Sequence, residues 1–175
     1  PPHQQVQADL SLKKFRELFL QGRFCAAEDA FRTAIKKYAS VDSPCDLAEA
    51  YLQRYLLFSY IGKKEISILA EAERFATLGE CKEEAMRIEA YRQNKGLPQA
   101  EDPLSRSVSL RKKAMRSGDV SALKKALEID RAKGWTALVW TDLKGLVELT
   151  SGKERERYSE RLRLVEETLK RECLP

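Results

Sequence analysis

One histidine, two methionines and four widely spaced cysteines leave this 175-residue chain poor in the side chains that usually carry chemistry. His3 sits in a Pro/Gln-rich start and reads as a solvated residue. No cysteine belongs to a C-x-x-C pair, so no zinc-ligand set is present and no metal is expected. The sequence holds no G-x-S-x-G elbow, no Gly-rich phosphate loop, no H-E-x-x-H and no calcium loop, so it implies no cofactor and no enzyme. Acid pairs such as Glu83/Glu84 and Glu166/Glu167 fall on polar helix faces and read as solvent charges; an acid–base pair needs burial that the sequence does not suggest. With 8 Gly and 6 Pro there are too few turn formers for an all-β fold. No apolar run approaches the roughly 20 residues of a membrane-spanning helix.

What is present is helical. Apolar residues make up 43% of the chain and charged residues 34%. The organising stretch runs from Phe19 to Tyr38: a helix end, a turn at Gly22 and a second helix. Phe24, Ala27, Phe31, Ala34, Ile35 and Tyr38 recur at three- and four-residue steps and form one apolar face. Small Ala27 and Ala34 bracket Phe31, which lets a partner helix approach closely. Phe31 is expected between the first helix and the third.

The helix before Gly22 is predicted over 9–20, with Asp9 as N-cap and Leu12, Phe15, Leu18 and Phe19 inward. Ser43-Pro44-Cys45-Asp46 predicts a third helix opened by a capping box and a first-turn proline, ending at Ile61. Its second half is apolar nearly all round, so it is expected to be the most buried helix. A fourth helix presents Ile68, Leu69, Ala72, Phe75 and Ala76 and stops at Gly79. A fifth, over 81–94, carries Cys81, Ala85 and Ile88 and ends at Gly96. Helices follow over 104–116, from Asp119 to Gly134, around Leu138–Val147, and from a second capping box at Ser151–Glu154 to about Cys173. Nine helices and no strand define an all-α fold of stacked antiparallel hairpins. The organisation expected is a disordered tail over 1–8 and one helical-repeat domain over 9–175, its halves 9–96 and 104–175 joined by a loop over 97–103.

Gly118 and Gly152 stand 34 residues apart, the tetratricopeptide period, while Gly22 and Gly62 stand 40 apart. Gly22, Ala27, Phe31 and Ala34 match the turn glycine, the two small residues and the aromatic between them in the second helix of that repeat. The 12–38 hairpin therefore resembles a tetratricopeptide repeat. The resemblance implies an α-solenoid and a non-enzymatic adaptor that holds a peptide or protein segment in a concave groove, walled by the first, third and sixth helices.

Within that expectation the third helix has more large residues than one buried face uses: Tyr51, Tyr55, Phe58 and Tyr60. Tyrosine packs its ring while keeping its hydroxyl wet, and Arg54 adds a donor for a carboxylate or carbonyl. Tyr51, Arg54 and Tyr55, with basic Lys112, Lys113 and Arg116, form the expected partner site. The stretch 105–117 holds Arg106, Arg111, Lys112, Lys113 and Arg116 with no acid, so nucleic-acid or anionic-surface binding through the 104–116 helix is the alternative. No aromatic pair interleaves those cations to stack bases, which argues against single-strand binding. The net charge of +5 is mild and is explained by a solvated helix surface.

Cys25, Cys45 and Cys81 each fall in the first turn of a predicted helix and read as buried or half-buried free thiols; a Cys45–Cys81 bridge is the sharper alternative, since both lie at one end of the solenoid. The start Pro1-Pro2-His3-Gln4-Gln5, without methionine, is expected of a processed or trimmed chain, leaves open whether a targeting segment preceded it, and resembles the linker after an envelope-lipoprotein anchor. Cytoplasm and bacterial periplasm both stay open, as does the oligomeric state.

Overall fold

The surplus of Ala, Leu, Glu, Lys and Arg gives nine helices and no strand among the described residues, 3–95 and 101–175 of a computed structural model. They are α1 (His3–Leu20), α2 (Phe24–Ser40), α3 (Pro44–Tyr60), α4 (Ile66–Leu78), α5 (Lys82–Arg92), α6 (Pro103–Ser117), α7 (Val120–Lys133), α8 (Thr136–Leu149) and α9 (Gly152–Leu169). They divide between two units. The first holds described residues 3–19, 24–95 and 175, and the second 20–23 and 101–174. Among the described residues no helix is long and apolar enough to cross a membrane.

In the first unit the apolar face read from the sequence is the packed face. Phe24, Ala27, Phe31, Ala34 and Tyr38 of α2 are all buried, as are Leu12, Phe15, Leu18 and Phe19 of α1. The Phe31 ring centroid lies 4.9 Å from that of Phe15 and 5.2 Å from that of Tyr51, so it sits between α1 and α3. Beyond α2, helices α3, α4 and α5 close a second cluster around Leu52, Tyr55, Leu69, Ala72, Ile88 and Tyr91.

Several helix ends differ from expectation. α1 begins at His3, so residues 3–8 are its first turns rather than a tail. Contacts hold it there: Ala8 is fully buried, Gln5 Nε2 donates to Asp46 Oδ2 at 2.8 Å, and Lys37 Nζ donates to Gln7 Oε1 at 2.8 Å. Asp9 is therefore inside the helix, and its Oδ1 accepts the Tyr38 hydroxyl instead of capping. That bond and burial, burial foremost, hold the Tyr38 hydroxyl well above its ordinary pKa. Ser43 precedes α3 but makes no cap bond; its hydroxyl donates to Asp46 Oδ2 at 2.5 Å. Ser151 likewise makes none, and Glu154 meets Lys124 at 3.4 Å. Gly96 and residues 97–100 of the expected loop lie outside the described residues. Pro103 opens α6 behind an N-cap, Asp102, that accepts Ser105 N–H at 3.0 Å.

The thiol reading is corrected. Cys45 and Cys81 form a disulfide that ties the start of α3 to the start of α5. No free cysteine exists among the described residues. Gly79 makes the approach tight: a Cβ there would lie 2.7 Å from both Cys81 Sγ and Pro44 Cγ.

The second unit packs Ala114 of α6, Leu123 and Leu127 of α7, Leu143 and Leu146 of α8 and Tyr158 of α9. Asp119 caps α7 as expected, accepting Ala122 N–H at 3.1 Å, and Gly134 ends it at φ 70°. α8 buries as many positions over 14 residues as α3 does over 17, so α3 is not the most buried helix. The difference lies at Asp142 and Gly145, polar and small positions that hydrophobicity does not mark.

Candidate partner-binding site

Two of the six expected partner residues come together in the first unit. α2 and α3 pack against each other and leave a hollow of about 340 Å³ between them. From α2 it is lined by Glu28, Phe31, Arg32, Ile35 and Lys36, which share one face at three- and four-residue steps. From α3 it is lined by Tyr51 and Arg54. Phe31 forms the floor, since it is only 4% exposed.

Arg54 is held from three sides. Its guanidinium carbon lies 4.7 Å from the Phe31 ring centroid and 4.8 Å from that of Phe58. Its Nη1 donates to Glu28 Oε2 at 2.6 Å. A guanidinium stacked on rings and bonded to a carboxylate loses little further freedom when it meets a ligand. Tyr51 stacks on Phe75 of α4 at 5.7 Å, and Arg74 lies 4.3 Å over that same Phe75. Burial first, then Glu71, raises the Tyr51 hydroxyl pKa against the opposing pull of Arg54 and Arg74, so the hydroxyl stays a neutral donor.

Tyr55 is not part of this hollow. It is 7% exposed and faces Tyr91 of α5 at 6.1 Å, inside the α3–α5 cluster. Tyrosines four residues apart lie on nearly the same side of a helix, but here Tyr51 meets Phe31 of α2 whereas Tyr55 meets Tyr91 of α5. The contributions of α2 were missed from sequence. Glu28, Arg32 and Lys36 are not singled out there, although their four-residue spacing beside Phe31 and Ile35 is visible.

Lys112, Lys113 and Arg116 are exposed on α6 of the second unit. Lys113 has a loose ion pair with Asp119 at 3.7 Å. Arg111 leaves that basic set altogether. It is 7% exposed, and its Nη1 meets Asp142 Oδ1 at 2.8 Å, Asp130 Oδ2 at 3.2 Å and Ser107 Oγ at 3.2 Å. Ser107 Oγ donates to Asp130 Oδ1 at 2.6 Å. Four polar side chains from α6, α7 and α8 thus close a buried cluster. The sequence suggested no buried acid pair; Asp130 and Asp142 are one, both fully buried. The signal was present as two acids on otherwise apolar helix faces. Burial, then the neighbouring Asp130, pushes the Asp142 carboxyl up to about 9 against the opposing pull of Arg111. Arg111 Nη2 and Asp142 Oδ2 are buried and make no hydrogen bond.

A second hollow of the first unit, about 430 Å³, lies between α4 and α5 and is lined by Glu73, Glu80, Lys82, Glu89 and Arg92 together with Ala76, Ile88 and Cys81. Arg92 bonds to Glu73 across it. Near its edge the Glu84 carboxylate lies with Cys45 and Cys81 Sγ inside 4.8 Å, a spacing that suits a metal ion. Thiolates are what bind metal, and here the two sulfurs are bonded to each other. Compared with known proteins, the chain matches no family model, no curated protein and no solved structure.

Proposed function

We propose that the chain is a non-enzymatic binding module that holds a peptide or protein segment, and that the α2–α3 hollow is its contact site. The observation that carries this is Arg54, fixed between two aromatic rings at the wall of a hollow floored by Phe31. Pockets of a few hundred Å³ with an apolar floor and a few placed polar groups are where small ligand segments bind. The packing of α3 with α4, of α6 with α7 and of α8 with α9, each a pair of sequence neighbours, supports the same reading. A non-enzymatic role is supported by the Ser107–Arg111–Asp130–Asp142 cluster, whose groups face one another and are shut away from water. The Cys45–Cys81 bridge supports an oxidising compartment such as the bacterial periplasm.

The test is a peptide-array screen of the intact protein beside Tyr51→Ser and Arg54→Gln. Both variants are expected to keep the wild-type circular dichroism spectrum and to lose about tenfold or more in affinity for the peptides that wild type selects, as one charge-assisted bond is worth about 1.5–3 kcal/mol. Undiminished binding by both would contradict the proposal. The alternative, an anionic surface bound through Lys112, Lys113 and Arg116, predicts instead a duplex affinity that falls steeply with salt.

A further inference from the structure

The hollow between α2 and α3 also has a sign. Resting on the reading above, we infer that its occupant is an acidic segment of a partner protein, one that places a carboxylate beside an apolar side chain. Among the described residues the lining cations are Arg32, Lys36 and Arg54, and the one lining anion, Glu28, is already bonded to Arg54. The α4–α5 hollow has the opposite balance, with three glutamates against Lys82 and Arg92, and no aromatic residue in its lining. Charge complementarity therefore separates two hollows of similar size on the same unit.

The cations are available to a ligand. Arg32 reaches only Asp29, at 3.7 Å, and both side chains are more than 70% exposed, a pair that contributes little. Lys36 is exposed at the rim. Arg54 uses Nη1 on Glu28, and a guanidinium has five N–H donors in all. Phe31 and Ile35 supply the apolar contact between them.

A nucleic-acid base is the occupant this geometry disfavours. Base binding needs open ring faces. Tyr51 is stacked on Phe75, and Arg54 covers the faces of Phe31 and Phe58. With those faces taken, the hollow offers the cations Arg32, Lys36 and Arg54 beside apolar Phe31 and Ile35, which suit a carboxylate with an aliphatic or aromatic neighbour.

The experiment uses the full chain, its bridge intact, and three pooled libraries of short fluorescent peptides: Asp/Glu with Leu/Phe, Asn/Gln with Leu/Phe, and Lys/Arg with Leu/Phe. A short single-stranded oligonucleotide is the fourth probe. Anisotropy is read on wild type, on the exposed-residue double variant Arg32→Glu/Lys36→Glu, and on Tyr51→Ser. The acidic pool is expected to bind best, to weaken about tenfold or more in the double variant, and to weaken in added salt. Equal binding of the acidic and amide pools, both lost in Tyr51→Ser, would overturn the acidic preference while leaving the binding site standing. No pool binding at all would overturn both. Oligonucleotide binding that the double variant abolishes would replace the acidic peptide with a nucleic acid.

Discussion

Arg111 shows how one residue changes meaning on folding. By sequence it belongs to a run of cations on α6; in the structure it faces two buried acids, Asp130 and Asp142. Removing it strands both acids, and breaking a buried charge cluster in this way costs about 3–5 kcal/mol. Arg111→Leu is therefore expected to melt far below wild type, whereas the exposed Arg116→Leu should change little. Asp142 gives the cluster a pH dependence. Its folded pKa of about 9 lies above the unfolded value of about 3.9, so between these limits the folded state keeps a proton that the unfolded state releases. The stability it contributes is complete below about pH 4, declines as pH rises through that window, and is lost by about pH 9. Asp142→Asn cannot ionise and removes this slope. Thermal melts from pH 5 to 9 should show the variant gaining on wild type as pH rises; parallel curves would refute the assignment.

At the scale of the element, α2 is the helix whose neighbours the sequence named correctly, because its whole apolar face is made of large and small residues at regular steps. Phe31→Ala removes a ring touching Phe15 and Tyr51 and should cost about 3–5 kcal/mol, read as a lower denaturant midpoint; an unchanged midpoint would remove α2 from the centre of its unit. Gly79 tests the junction of α3 and α5. Its φ of −94° is open to any residue, so Gly79→Ala acts through collision with Pro44 and the disulfide rather than through strain. It should destabilise by about 1–3 kcal/mol in the same assay, and a neutral result would show that this junction yields. The helices themselves were legible for the same reason as α2: periodic apolar positions and glycine stops are local signals. The caps were less so. Ser43 and Ser151 stand where a capping serine belongs, but Asp46 takes the hydroxyl of one, and neither bonds the helix N-terminus. Five of the seven residues lining the α2–α3 hollow, all from α2, were missed as a site because Arg32 and Lys36 gain meaning only from α3 beside them.

For the whole molecule, the disulfide is the feature that sequence left open, because spacing along the chain does not report distance between helix starts. Denatured, unreduced protein should show no reactive thiols. Cys45→Ser/Cys81→Ser should lose roughly 4 kcal/mol in unfolding, as expected for a bridge spanning 36 residues, and four reactive thiols in the wild type would rule the bridge out. The central claim, a binding module whose contact site lies on α2 and α3, is tested most directly by mapping amide chemical-shift changes as the acidic peptide pool is titrated into isotopically labelled protein. The account predicts changes centred on Phe31, Ile35, Lys36, Tyr51 and Arg54. Changes centred instead on Lys112, Lys113 and Arg116, or none at saturating peptide, would contradict it.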